Sequence, residues 1–146
     1  MKPGIDYTGI STPFYCHDGA GNFVLHKRSV KCRDEHGKWD CGGGQLHFGE
    51  LPEEGVLREV REEYGCEGTI DAQLPAYGIV REHDGVRTHW LAVPFIVRVN
   101  REDVRMNEPE FMDEIHWFRL DALPTPLHSA FELALRKFAK HFKQYR

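Results

Sequence analysis

Within the 23 residues Gly44 to Cys66, GQLHFGELPEEGVLREVREEYGC, Glu59, Glu62 and Glu63 crowd together behind a glycine-rich start. At about 100° per residue on a helix, the three carboxylates fall within roughly 100° of one another. They lie mostly off the apolar stripe that Val56, Leu57, Val60 and Tyr64 form at helical spacing. Like charges on one face repel, and the carboxyl-terminal half of a helix is the unfavourable end of its dipole for anions. A cation among the carboxylates relieves both penalties, and an all-oxygen donor set suits Mg²⁺ or Mn²⁺. Taken alone, such a helix face is ordinary solvated surface. Its fixed surroundings set it apart.

Gly44, five residues, Glu50, seven residues, then Arg58-Glu59-Val60-x-Glu62-Glu63-x-Gly65 resembles the signature of the Nudix hydrolases at every non-aliphatic position. Cys66 stands where a second aliphatic residue is common. The resemblance implies a Nudix-type α/β/α sandwich, with a mixed β-sheet between helices. It also implies hydrolysis of a diphosphate linkage in a nucleoside diphosphate joined to another group. By that resemblance Glu59, Glu62 and Glu63 are metal ligands, joined by a backbone carbonyl around Gly43. One to three divalent ions then neutralise the diphosphate and lower the pKa of a bound water. Glu59 or Glu63 alternatively takes the water's proton. Arg58 matches the arginine that fastens the carboxylates, and its plainer reading is a surface salt bridge. Glu50 either orients this cluster or marks the helix start. Arg28, ending a strand, is read as a phosphate contact or as ordinary surface. Trp39 and Asp40 flank the cleft by analogy and are read as base contacts, although a tryptophan there also suits a core. Glu108, Glu110 and Glu114 are candidates for a further ligand or base. Departures from the common pattern are His47 in place of a glutamate, Cys41 in place of a proline, and Gly55 in place of a helix-favouring alanine.

These groups need a helix and a set of strands to hold them. Pro52 suits a first helical turn and Gly65 a helix end. A first strand is expected within Ile5 to Asp18, with Pro13 its weak point. Asp18-Gly19-Ala20-Gly21-Asn22 reads as a hairpin turn leading into Phe23 to Arg28. Ser29 to Lys38 is a polar loop of functional length. Trp39 precedes Gly42-Gly43-Gly44, which lets backbone approach a ligand closely. Ala76 to Val80 reads as a strand, Asp84-Gly85 as a second turn, and Thr88 to Asn100 as one long strand opposed only by Pro94. Ile115 to Phe118 is a short strand. Leu127, Phe131, Ala134, Leu135, Phe138 and Phe142 mark a closing amphipathic helix, and Trp117 to Pro124 also looks like the family.

A chain of 146 residues is one domain by length, here spanning 1–146, and 40% hydrophobic with 29% charged residues is globular composition. A net charge of −4 argues against a nucleic-acid backbone binder. It permits a phosphorylated substrate where a bound cation reverses the local field. Four cysteines without paired spacing, no apolar leader and no membrane-length run point to a reduced, cytoplasmic protein. The expected partner is a small-molecule nucleotide, without membrane or nucleic acid, and with a homodimer left open. Nucleoside triphosphates lead the substrates, and ADP-ribose, nucleotide sugars, dinucleoside polyphosphates and capped RNA ends stand as alternatives. A non-catalytic nucleotide-sensing module is the rival class, disfavoured because no motif glutamate is lost.

Overall fold

The computed structural model describes residues 1–146. The chain opens with β1 (Gly9–Ser11), β2 (Phe14–His17), β3 (Asn22–Arg28) and β4 (Trp39–Asp40). Then come α1 (Pro52–Tyr64), β5 (Gly68–Gln73), β6 (Tyr77–His83), β7 (Val86–Ala92) and β8 (Phe95–Val99). It closes with β9 (Met112–Arg119), α2 (Ser129–Lys137) and α3 (Ala139–Phe142).

Two prolines divide what the sequence presents as continuous strands. Pro13 separates β1 from β2, and Pro94 separates β7 from β8. A proline lacks the N–H that a ladder needs, so each run leaves one sheet there and joins another. The three-stranded sheet has order β1-β7-β6, and the six-stranded sheet runs β4-β3-β2-β8-β5 with β9 also on β3. The two crossing segments travel side by side. β1 lies parallel to β7, then β2 lies parallel to β8, with Phe14 opposite Phe95. Between them the Val93 amide donates to the Ser11 carbonyl at 2.8 Å and the Phe95 amide to the Pro13 carbonyl at 2.9 Å.

Alternation along β2, β3 and β8 fills both faces of the larger sheet. Phe14, Cys16, Val24, Phe95 and Val97 meet Val56, Val60 and Tyr64 of α1 on one face. Tyr15, Phe23, Leu25 and Ile96 meet Phe131, Ala134, Phe138 and Phe142 on the other. The result is the expected α/β sandwich, with its strands shared between two sheets. The closing helix is broken at Phe138 (φ −109°, ψ 27°), which makes α2 and α3 separate pieces. No helix is long and apolar enough to cross a membrane.

Pro52 in the first turn of α1, Glu53 and Glu54 at its positive end, and Gly65 in the left-handed conformation at its stop delimit that helix. The expected polar face shared by Glu59, Glu62 and Glu63 does not form. Glu63 sits on the buried face of α1 with Val56, Val60 and Tyr64, only 8% exposed, and not on a polar face shared with Glu62.

Candidate active site

The glycine run is pinned to Thr12 and to Phe14 at the start of β2. The Phe14 amide donates to the Gly42 carbonyl at 3.0 Å and the Thr12 amide to the Gly44 carbonyl at 2.9 Å. With its neighbours' carbonyls used on that side, Gly43 turns its polar groups the other way. Its amide donates to Glu63 Oε2 at 3.1 Å, and its carbonyl accepts no hydrogen bond from the protein. Gly44 faces Glu59 so closely that a Cβ there would lie 2.0 Å from the carboxyl carbon. The absent side chain is what lets the helix carboxylates reach the loop backbone.

Arg58 ties the cluster together. Its Nε donates to Glu50 Oε2 at 2.7 Å and its Nη2 to Glu50 Oε1 at 3.1 Å, a two-point grip. Nη1 donates to Glu59 at 2.8 Å and to Glu62 at 3.1 Å, and Nη2 also reaches the Gln45 carbonyl. The hydrogen bond from Arg58, aided by the His47 amide, brings the Glu50 carboxyl down to about 2. Glu50 therefore holds Arg58, and Arg58 holds Glu59 and Glu62.

Glu63 has no such cation. Burial pushes its carboxyl well above the usual range; the Gly43 amide opposes this, and Glu59, Glu108 and Asp40 reinforce it. Burial also raises Glu59 against the pull of Arg58. Glu108 is raised by burial and then by Glu59, Glu110 and Glu62. Glu59, Glu63, Glu108 and Gly43 line a cavity of about 460 Å³ together with Arg28, Lys31 and Arg33. Carboxylates and cations thus share one cavity. Of the three candidates after Asn100, only Glu108 reaches this cavity: Glu114 pairs with Lys27 and His116, and Glu110 offers its carbonyl to Ser29. Glu62, whose carboxylate is half exposed, lines neither this cavity nor the next.

A second cavity, of about 480 Å³, shares His26, Arg28, Arg33, Gly43 and Glu63 with the first. It continues over Asp40 and His128 to Tyr77, Ile79, Arg81 and Trp90 on the three-stranded sheet. Arg28 is braced by Asp34 at 3.0 Å and Asp40 at 3.2 Å. Trp39 is not brought to either cavity. It is 9% exposed, packs in the core under α2 and meets Phe118 edge-on at 5.2 Å. Its place in a strand facing that core overrides the analogy that put it on a base.

The loop 29–38 is fastened to the start of α2. Glu35, at φ 48°, accepts from the Ser129 amide at 3.0 Å and hydroxyl at 2.8 Å, and it meets Lys38 and His128. Burial works against that carboxylate, but the Ser129 groups and Lys38 bring it down to about 2. Asp34, Glu35 and His128 lie within metal-binding reach of one another. Their charges are already met by Arg28, Lys38 and Ser129, which makes this a latch and not a vacancy for an ion.

A model of the NUDIX domain matches residues 9–142. The chain belongs to the Nudix family. It is 34% identical over 104 residues to an RNA pyrophosphohydrolase of Gluconacetobacter diazotrophicus, covering 60% of each chain. It is 27% identical over 97 residues to the RNA pyrophosphohydrolase of Acinetobacter baylyi, covering 56% of this chain and 58% of that one. The chain thus spans about three-fifths of the length of the curated relatives it matches. The crystal structure of a MutT NUDIX hydrolase from Burkholderia pseudomallei superposes with a TM-score of 0.78 at 28% identity, over 91% of this chain and 99% of that one.

The Nudix motif brings Glu50, Arg58, Glu59, Glu63 and Gly43 together as its spacing implies. Sequence reading missed His26, Lys31, Arg33 and the wall formed by Tyr77, Ile79, Arg81 and Trp90. The wall had a signal: Tyr77, Ile79 and Arg81 alternate with period two, so they share one face of their strand. The loop cations had none beyond the loop's length.

Proposed function

We propose that this Nudix domain is a divalent-metal-dependent hydrolase. It cleaves a diphosphate linkage in a nucleoside diphosphate bonded to a further group, with nucleoside triphosphates foremost. The observation that carries this is the Glu63 carboxyl: 8% exposed, partnered by one amide and no cation, beside Glu59 and Glu108. An uncompensated cluster of this kind is costly without a counter-ion. Its donors, carboxylate oxygens plus the unused Gly43 carbonyl, fit Mg²⁺ or Mn²⁺. Glu59, Glu63 and Gly43 would hold the ion, with Glu62 and Glu108 at its margin. When bound, the ion neutralises the phosphates and makes a water acidic.

The chain's own groups do the rest. Arg58 and Glu50 fix Glu59 and Glu62, which confines the carboxylates before substrate arrives. Arg28, Lys31 and Arg33 line the same cavity and would compensate phosphate charge. Glu108 lines the same cavity, and burial raises its proton affinity, which suits it to accept the proton an attacking water releases. No motif carboxylate is missing, which speaks against a non-catalytic sensing module.

The experiment is release of phosphate or pyrophosphate across nucleoside triphosphates, ADP-ribose, a nucleotide sugar, a dinucleoside polyphosphate and a 5′-triphosphate oligonucleotide. The last belongs in the panel because the curated relatives are RNA pyrophosphohydrolases. Turnover should require Mg²⁺ or Mn²⁺, stop with EDTA, and fall at least about 10²-fold in Glu63→Gln. Undiminished turnover in chelator, or none on any substrate, refutes the reading.

A further inference from the structure

We propose that Trp90 is the aromatic platform on which the substrate's nucleobase rests, and that the amino-terminal segment carrying Gly4 and Gly9 sets its position. The proposal rests on the nucleotide reading above and adds a base subsite to it.

Gly9 is the direct neighbour of Trp90 in the parallel pairing of β1 with β7. Because Gly9 has no side chain, the Trp90 ring lies across it: a Cβ there would fall 2.5 Å from Cζ3 of the indole. Gly4 takes the other end of the ring, where a Cβ would fall 2.4 Å from Nε1 and Cε2. Gly4 is itself pinned, because its carbonyl accepts from the His89 amide at 2.7 Å and its amide donates to the Tyr7 carbonyl at 2.6 Å. The left-handed backbone at Gly4, φ 79°, is one that side-chain-bearing residues seldom adopt. Two glycines thus form a slot of backbone that supports an indole.

That indole lines the 480 Å³ cavity, together with Tyr77, Ile79 and Arg81 from the same face of the β6–β7 hairpin. The other two tryptophans are engaged elsewhere. Trp39 packs against Phe118 in the core, and the Trp117 ring lies under the Arg101 guanidinium at 5.1 Å. The same cavity is lined by Arg28, Arg33, Gly43 and Glu63. One cavity therefore brings together an aromatic wall, guanidinium groups and a motif carboxylate, the partners that a base, its phosphates and the bond to be cut would need. A flat ring accepts any base by stacking, so Trp90 supplies affinity, and choice among bases falls to the polar groups beside it.

The competing account is that an indole covers two glycines only to stabilise a thin sheet. Intrinsic fluorescence separates the two. The protein with Mg²⁺ is titrated with non-hydrolysable α,β-methylene analogues of ATP and GTP, and separately with inorganic tripolyphosphate, which has phosphates but no base. The analogues should quench emission and tripolyphosphate should not. Trp90→Leu should abolish the quench and weaken analogue binding about tenfold, leaving tripolyphosphate binding unchanged. Trp90→Phe should restore most of the affinity. Equal quenching by tripolyphosphate, or analogue affinity unchanged in Trp90→Leu with only a lower melting temperature, overturns the platform. Base-dependent quenching in a protein that hydrolyses no nucleotide would leave the platform standing and remove the catalytic reading. Metal-dependent hydrolysis with Trp90→Leu unaltered would do the reverse.

Discussion

Gly44→Ala tests whether the position of the Glu59 carboxylate governs turnover. The added methyl would sit 2.0 Å from the Glu59 carboxyl carbon and 2.3 Å from both oxygens, where ordinary contact begins at 3.4 Å. The carboxylate must therefore retreat by about 1.4 Å. The backbone has little reason to move in its place, because the Gly44 carbonyl is bonded to the Thr12 amide and its φ lies outside the left-handed region. Arg58 follows Glu59, since one Nη1 serves both Glu59 and Glu62. A misplacement of about 1 Å costs on the order of 10²-fold in rate. The expected result is a kcat lower by about that factor, an unchanged circular dichroism spectrum and a melting temperature within a few degrees of the parent. Gly78→Ala is the matched control: the nearest atom to its added methyl is His89 Nε2 at 3.9 Å, so turnover should hold. A Gly44→Ala protein with parental kcat would refute both the closeness of this contact and the place given to Glu59.

Glu108→Gln should lower kcat at saturating Mg²⁺ by at least about 10²-fold and raise the Mg²⁺ concentration for half-maximal activity by about 10- to 100-fold, while Glu114→Gln, whose carboxylate pairs with Lys27 and His116, should leave both unchanged. A Mg²⁺ titration of both variants checks this. Trp39→Ala should cost about 3 kcal/mol or more in urea unfolding, because its ring is in the core; a selective loss of nucleotide affinity at full stability would return Trp39 to the cleft. His26 is buried, with Nδ1 2.8 Å from the Tyr64 hydroxyl, and burial lowers its pKa below the ordinary 6.5. Below pH 6.5 the unfolded chain therefore takes up a proton that the native state refuses, so stability falls as pH drops from 7 to 5, by up to about 1.4 kcal/mol per unit. Urea midpoints of the parent and His26→Gln across that range should show the smaller slope in the variant, and equal slopes would refute the assignment.

Spacing alone made the motif legible, because Gly44, Glu50, Arg58 and Glu59 act at fixed separations along one loop and one helix. Burial was not legible in the same way. A hydrophobic pattern places a glutamate outside the core by its charge, whereas Glu63 follows Val56 and Val60 onto the buried face. By propensity Gly55 is a mere loss to the helix, yet a methyl there would lie 2.5 Å from the Leu46 side chain and 3.0 Å from Glu50. The splitting of the long strands depended on where Pro13 and Pro94 come to lie side by side, a long-range fact. The exchange of Trp39 for Trp90 in the cleft has the same origin. Proximity in sequence to the glycines favoured the first, and pairing of β1 with β7 delivers the second.

The two proline-marked crossings have a consequence for how such a chain can diversify. The groups that confine the carboxylates lie on α1 and on the loop 42–50 that leads into it. The β6–β7 hairpin contributes Tyr77, Ile79, Arg81 and Trp90 to the cavity and none of the motif carboxylates. Its free edge, β6, carries no further strand, and its turn at Asp84-Gly85 is exposed. Substitutions, or even an exchanged hairpin of equal length, would reshape the far end of the cavity without touching Arg58 and its glutamates. Under the proposed function, the hairpin is then a replaceable cassette, able to change what the cavity accepts while Arg58 and its glutamates stay as they are.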